Sequence, residues 1–321
     1  MKIVITGARG FIGANLVKAL NKLGYEHLLL SDELDNDYKN ENLSNSKYDL
    51  LVDRKLLFES LETYHPDFVF HIGARTDTAE TNKEIFDQLN VSYSKRIWEY
   101  CTTNQIPLIY ASSAATYGDG SLGFSDQEPI EPLKPLNAYG WSKQNFDLWT
   151  AKQENTPPFW AGLKFFNVYG PGETHKGRMA SVVYHAYHQL TKNDALKLFR
   201  SHNRKYSDGA QLRDFIHVND IVSICLFLFK NEGVSGLYNC GTGEAKTFNE
   251  LAKYIFEAME KPINIEYIDI PRDIRENYQY YTEATMRKLR EAGYSKEFIS
   301  LESGIKDYII NFLMTSKNKV V

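Results

Sequence analysis

The sequence predicts an α/β protein, a doubly wound parallel sheet with a second, smaller α/β substrate domain. Three observations carry this. A short β-branched run at the start of the chain passes straight into a glycine-punctuated turn and a helix. Further short apolar runs, several ending in small residues or hydroxyls, alternate with helical segments as far as residue 167. Beyond that point the chain becomes polar and histidine-bearing. With 321 residues and 43% hydrophobic side chains there is enough chain for two lobes and a sizeable core. The expected division is residues 1–167 plus 214–241 for the first domain, and 168–213 plus 242–321 for the second.

The first turn organises the rest. Ile3, Val4 and Ile5 read as a fully buried strand, and Gly7, Gly10 and Gly13 then open a helix carrying Leu16, Val17 and Leu20. Each glycine has its own physical task. Gly7 permits the tight turn, Gly10 lets the backbone approach a pyrophosphate, and Gly13 lets the helix lie close to its strand. The helix N-terminus offers free N–H groups and partial positive charge to a diphosphate. Asp32 follows at the end of the next apolar run, about twenty residues on, where a ribose hydroxyl is normally held. Together these predict a dinucleotide site.

Residues 33–47 form a polar loop near the adenosine end, bracketed by Lys39 and Arg54. Either cation can reach a 2′-phosphate, and each reads equally well as an ordinary solvated charge. Asp32 would repel that phosphate, so the residues conflict on NADP against NAD. A third strand at 48–53, a helix at 55–64 and a fourth strand at 66–74 follow; His71, in that strand, reads as a core histidine. Its small-residue end suits a ligand lying against the backbone. A helix at 83–104 contains Asn90. A fifth strand over 106–118 ends in hydroxyls, including Ser113, and its tip is expected beside a nicotinamide. Tyr139 and Lys143 are four apart and share a helical face. An ammonium beside a phenol favours phenolate, so the lysine is expected to lower the tyrosine pKa towards neutrality. Ser113 would orient a substrate hydroxyl.

A sixth strand is expected over 160–171. His185 and His188 then lie on one helical face, but no carboxylate or cysteine stands at ligand spacing, and a metal site is not expected. Residues 213–220 return the chain to the first lobe, and a helix at 247–260, a strand at 263–269 and a terminal helix complete it. The net charge of −4 argues against nucleic acid or an anionic membrane surface as partner. Cys101, Cys225 and Cys240 read as buried hydrophobes in a reducing compartment. With no secretory signal ahead of the first strand and no apolar stretch of membrane-spanning length, a soluble cytoplasmic protein is expected.

The Gly-x-x-Gly-x-x-Gly spacing resembles the extended branch of the short-chain dehydrogenase/reductase superfamily, a Rossmann-fold group acting on nucleotide sugars. The runs at 6–13, 112–118, 166–171 and 213–215 are shared widely among nucleotide-sugar epimerases and dehydratases. A narrower signature, 175–182 with Tyr278-Gln279 and 291–294, resembles the ADP-glyceromanno-heptose 6-epimerase family over essentially the whole chain. That resemblance implies NADP held by Phe11, Ile12, Asp32, Glu33, Lys39, Arg54, Ile72, Gly73, Ala74, Arg75, Thr76, Asn90, Tyr139, Lys143, Val168 and Lys176. It implies substrate contacts at Ser113, Asn167, Arg178, His185, Phe199, Arg200, Ser201, His202, Arg213 and Tyr278. Glu33 stands where the family carries Asn, Arg54 where it often carries Lys, and Arg178 where it has a small hydroxyl residue.

The implied activity is inversion of carbon 6 of an ADP-heptose for the lipopolysaccharide core, by transient oxidation, with Tyr139 and Lys176 as acid/bases for the two epimers. A homo-oligomer is also implied, with a pentamer as one form. A UDP-sugar 4-epimerase using the same Ser113, Tyr139 and Lys143 is the nearest alternative. A 4,6-dehydratase would place an Asp-Glu pair where this chain has Ala114-Ala115. A non-catalytic dinucleotide-binding protein would lack the intact Tyr/Lys pair.

Overall fold

Runs such as Ile-Val-Ile and Leu-Leu-Leu carry no polar side chain, so both faces of their strands can be covered, which is what a parallel sheet between helices requires. A computed structural model describes residues 1–35, 37–78, 80–275 and 278–317. Among the described residues the strands are β1 (Ile3–Thr6), β2 (Leu28–Asp32), β3 (Leu50–Asp53), β4 (Phe68–His71), β5 (Leu108–Ser113), β6 (Trp160–Phe165), β7 (Asn167–Tyr169), β8 (Leu196–Phe199), β9 (Leu212–His217), β10 (Gly236–Cys240), β11 (Ala245–Thr247) and β12 (Ile265–Ile268). The helices that bear on the site are α1 (Phe11–Lys22), α2 (Leu57–Tyr64), α3 (Lys83–Phe86), α4 (Tyr93–Thr103), α5 (Ala138–Thr150), α6 (Val182–Lys192), α7 (Val218–Lys230) and α8 (Phe248–Ala258).

Seven strands form one parallel sheet in the order β10-β6-β5-β4-β1-β2-β3. From β1 the chain moves outward through β2 and β3, then crosses back to β4 and moves outward the other way. The order therefore reverses between β1 and β4, and open sheets bind ligands beyond the carboxyl ends of the strands at such a point. The core includes Ile3, Val4, Leu29, Phe70, Leu108 and Leu163, all fully buried, and α1 covers it with Leu16, Val17 and Leu20. A second core gathers Ala186 and Leu190 of α6, Leu198 of β8, Leu251, Ile255 and Phe256 of α8, and Ile305 and Ile309 near the C-terminus. Above it lie a three-stranded sheet, β11-β9-β7, and a two-stranded one, β12-β8. At the start of α8 the Thr247 hydroxyl accepts from Glu250 N at 3.0 Å while the Glu250 carboxylate accepts from Thr247 N at 2.8 Å, a capping box.

Three expectations need correction. The strand expected over 160–171 is two strands: Phe166 N bonds Cys240 O at 3.1 Å, closing the large sheet, and the chain then bends so that β7 pairs with β9 instead. The strand expected over 106–118 ends at Ser113, whose hydroxyl caps a 3₁₀ turn at Ala114–Tyr117. The 213–220 stretch belongs first to the small sheet, as β9, and only α7 rejoins the first lobe against α1. The helix expected at 83–104 is present as α3 and α4, joined by a π-helical turn at Asp87–Ser92 that contains Asn90.

Candidate functional site

At the switch point the backbones of β1 and β4 come too close for side chains. Gly7 has φ +66°, and a Cβ there would lie 2.5 Å from Gly73 Cα; a Cβ on Gly13 would lie 2.1 Å from Gly7 O. Gly10 is the N-cap of α1, in extended conformation with no side chain capping the helix. The first-turn N–H groups, which have no partner within a helix, are thus left facing the cleft. This cradle fits the diphosphate of a dinucleotide.

At the adenosine end Asp32 is buried; its carboxylate accepts from Arg9 N at 2.9 Å, Glu33 N at 2.8 Å and Lys39 Nζ at 3.1 Å. Glu33 accepts from Arg54 at 2.9 Å, and the buried Arg9 guanidinium donates to Glu33 O at 2.9 Å. Both carboxylates are therefore paired, among three cations. Two further residues, Arg9 and Asn42, were missed by the sequence reading as parts of this end. Asn42 donates to Arg9 O at 3.0 Å and to Gly172 O at 3.3 Å, and lies 3.1 Å from His175 Nδ1, tying the adenosine side to the loop that carries Lys176.

The nicotinamide end is a cavity of about 360 Å³. Of the expected residues Phe11, Ile12, Ile72, Ala74, Thr76, Ser113, Tyr139, Lys143, Asn167, Val168 and Lys176 line it. Arg75 and Asn90 do not. Arg75 is exposed and sits 3.7 Å from Asp77 and Glu80, while buried Asn90 exchanges bonds of 2.8 and 2.9 Å with the Arg75 backbone and donates to Ser142 at 2.9 Å. Asn90 thus shapes the β4 loop from behind. Thr78, Met179, Phe215 and Phe248 also line it; Met179 and Phe215 fall in the 175–182 and 213–215 runs, whereas no local spacing in the sequence marks Thr78 or Phe248.

Tyr139 and Lys143 sit on α5 as their spacing predicts, and Ser113 hydrogen-bonds the phenol. The expected lowering of the tyrosine does not hold for the chain itself: burial raises Tyr139, outweighing the bond from Ser113. Lys143 is turned elsewhere. Its ammonium donates to Ala111 O at 2.8 Å, and burial pushes it down to about 8, opposed by Asp147 one turn along the helix. Asp147 anchors a fully buried network, accepting from Lys164 at 2.6 Å, Ser112 at 2.7 Å and Tyr110 at 3.2 Å, while Lys164 also donates to Thr116 at 2.8 Å. Lys176 stands over the Phe11 ring, 5.4 Å from its centroid, and burial lowers its pKa against the pull of Glu173.

A second cavity, of about 910 Å³, adjoins the first, and Val182 and Phe248 line both. His185, Phe199, Arg213 and Tyr278 line it as expected. The Arg213 guanidinium lies 5.2 Å from the Tyr278 ring centroid and 5.7 Å from that of Phe248, and donates to Leu212 O at 2.8 Å and to Gln279 O. The other expected contacts face elsewhere in the chain alone. Arg178 is exposed, with His185 Nε2 donating to its carbonyl at 3.3 Å. Arg200 lies 3.5 Å from Asp208 and 4.0 Å from Asp269, Ser201 N donates to Asp208 at 2.8 Å, and His202 is 3.6 Å from Asp269. That segment is consumed by its own loop. His185 and His188 pack on the Tyr184 ring, and among the described residues no cluster of His, Cys, Asp or Glu is arranged to hold a metal. No described helix is long and apolar enough to cross a membrane.

Residues 3–241 match the model of the NAD dependent epimerase/dehydratase family. The chain is 44% identical to the ADP-L-glycero-D-manno-heptose-6-epimerase of Fusobacterium nucleatum, over 97% of this chain and 98% of that one. Among solved structures it resembles the ADP-L-glycero-D-manno-heptose-6-epimerase of Helicobacter pylori, with TM-score 0.81 and 28% identity over 97% of this chain and 95% of that one. It also resembles the UDP-glucose 4-epimerase of Thermotoga maritima, with TM-score 0.82 and 25% identity over 98% and 100%. The glycine cradle, the Ser113, Tyr139 and Lys143 group and these likenesses agree, and the chain belongs to the NAD dependent epimerase/dehydratase family.

Proposed function

We propose that this chain inverts carbon 6 of the heptose in ADP-D-glycero-D-manno-heptose, giving the L-glycero epimer, with NADP as the resident nicotinamide dinucleotide. The observation that carries the reading is the presence of two groups able to move protons, Tyr139 from α5 and Lys176 from the Thr174–Met179 turn, in one cavity that adjoins a second, nucleotide-sized one. Carbon 6 bears a hydroxyl and a hydrogen with no neighbouring carbonyl to acidify that hydrogen. A bound nicotinamide supplies reversible hydride acceptance, which inverts such a centre without net redox change. Tyr139, oriented by Ser113, takes or returns the hydroxyl proton of one epimer, and Lys176 serves the other, whose hydroxyl lies on the opposite side. Lys143, one helical turn on, lines the same cavity with its ammonium held on Ala111 O. Arg213, Phe199 and Tyr278 hold the nucleotide, leaving the sugar to reorient.

NADP is favoured over NAD by the resemblance to the heptose epimerases; at the adenosine end three cations, Arg9, Lys39 and Arg54, stand among three carboxylates, Asp32, Glu33 and Asp53. The cleft lies where a dinucleotide-binding unit meets a nucleotide-sugar-binding unit; the expected bounds, 1–167 plus 214–241 and 168–213 plus 242–321, shift so that β7 and β9 fall in the second unit. Purified protein incubated separately with ADP-D-glycero-D-manno-heptose and UDP-galactose, followed by NMR, is expected to invert only the first. Inversion of the galactose alone makes it a 4-epimerase. The nucleotide released by denaturation is expected to carry a 2′-phosphate.

A further inference from the structure

Between β7 and α6 the chain forms a loop, and one buried carboxylate closes it. Glu173 is fully buried. It accepts from Gly170 N at 3.3 Å on one side of the loop, and from Ser181 Oγ at 2.7 Å and Ser181 N on the other. The Tyr308 phenol, from the C-terminal helix, lies beside the same carboxylate. Burial raises Glu173 and these donors oppose it; a set made of donors suits an ionised acceptor. Inside the closed loop Lys176 N donates to Glu173 O at 2.9 Å, and Gly177 turns the chain with φ +52°. Asn15 of α1 donates to Pro171 O at 2.8 Å and Asn42 to Gly172 O at 3.3 Å, so the first half of the loop is also fastened to the dinucleotide side. Glu173 lines neither cavity.

We propose that Glu173 is a positioning residue: its carboxylate clasps Gly170 to Ser181 and thereby holds the Lys176 ammonium at the nicotinamide end of the cleft. The proposal rests on the reading of Lys176 as the second acid/base. Glu173 and His175 share the loop of Lys176, Lys39 and Asp32 from the adenosine side act on His175, and Tyr139 and Lys143 from α5 line the same cavity as Lys176; Tyr184 and Tyr308 face Glu173 itself. Of these, Glu173 is the one whose charge raises Lys176.

The test is Glu173→Gln, which keeps the size of the side chain and removes its charge, with Lys176→Met in parallel. Epimerisation by Glu173→Gln is expected to fall on the order of a hundredfold, as when a reacting group is misplaced by about 1 Å. The limb of the wild-type kcat–pH profile set by the lysine should move to lower pH in Glu173→Gln, because the lysine has lost its counter-charge. Trypsin provides a readout independent of activity. The folded variant should be cut after Lys176 or Arg178, where wild type resists, and Ser181→Ala should show the same cut more weakly should Glu173→Gln not accumulate. Wild-type rate and resistance in Glu173→Gln, beside an inactive Lys176→Met, would overturn the clasp. So would a slow variant whose pH profile is unmoved and whose trypsin cuts are spread over the chain. Full activity in Lys176→Met would instead sink the two-base reading on which the proposal rests.

Discussion

At the nicotinamide end of the cleft, Ser113 closes β5 and Tyr139 and Lys143 stand one turn apart on α5; at the nucleotide end, Phe199, Arg213 and Tyr278 arrive from segments far apart in the chain. The first group is backed by buried charge and hydrogen bonds, Lys143 on Ala111 O and Asp147 among Lys164, Ser112 and Tyr110. The second is held by rings around one guanidinium and by backbone carbonyls. A reacting group needs a fixed position to fractions of an ångström, whereas a nucleotide needs surface. Damage at the first end should therefore appear in kcat, and damage at the second in KM.

The largest effect expected is at Tyr139. Tyr139→Phe removes the proton carrier and leaves the ring, and kcat for 6-epimerisation should drop about 10³-fold, within the range general acid/base groups supply. KM should stay near wild type, and denaturation should still release the bound nucleotide. A variant that keeps kcat and loses KM would erase the distinction between the two ends.

Stability should separate them too. Lys164→Met leaves the Asp147 carboxylate, fully buried, without the cation now 2.6 Å away. Removing one partner of such a pair typically costs about 3–5 kcal/mol. Urea unfolding should show a loss of that order. Arg213→Met at the other end, which leaves no buried opposite charge stranded, should show clearly less.

The same contrast decides what could be read from sequence. The glycine turn, Asp32 and the Tyr139/Lys143 pair are local patterns, with the chemistry written in spacings of three or four residues, and they land where those spacings put them. Lys164 sits in a run that reads correctly as a strand, but its partner is on a helix, and nothing local says that a lysine there is buried. The departure of β7 from the large sheet depends on Phe166 meeting Cys240 and on pairing with β9, both distant in the chain. Arg200, Ser201 and His202 were expected at the substrate from the resemblance, and Asp208 and Asp269 hold them back in the chain alone. Glu173 lies just beyond the strand expected over 160–171, and only the tertiary bonds to Ser181 reveal its burial.

Arg213→Met sharpens the nucleotide end directly. The substitution keeps the apolar stem between the rings of Tyr278 and Phe248 and removes the charge and its donors. Charged hydrogen bonds of this kind are worth about 1.5–3 kcal/mol. KM for the nucleotide sugar should rise by about tenfold or more while kcat is nearly kept, the signature of an interaction made equally in ground and transition states. A fall in kcat with unchanged KM would mean that Arg213 acts on the reacting carbon.

The smallest effect concerns the charge of Lys143. Burial holds it at about 8 in the folded chain against an ordinary 10.5, with Asp147 pulling the other way. Below about pH 8 the lysine is protonated in both folded and unfolded chains, and the buried ammonium lowers stability by a constant amount. Between that value and 10.5 the unfolded chain binds the extra proton, so this group makes the fold more stable as pH rises, by at most about 1.4 kcal/mol per pH unit. Lys143→Met abolishes the term. In cofactor-free protein the variant should be more stable than wild type at pH 7, and the gap should close between pH 8 and 10 as measured by urea midpoints. Groups elsewhere titrate alike in both proteins and cancel in the difference. A gap that stays constant over that window would place a permanently charged lysine on Ala111 O, and the nicotinamide end would then owe its rigidity to a paired ammonium rather than to one that burial has made easy to discharge.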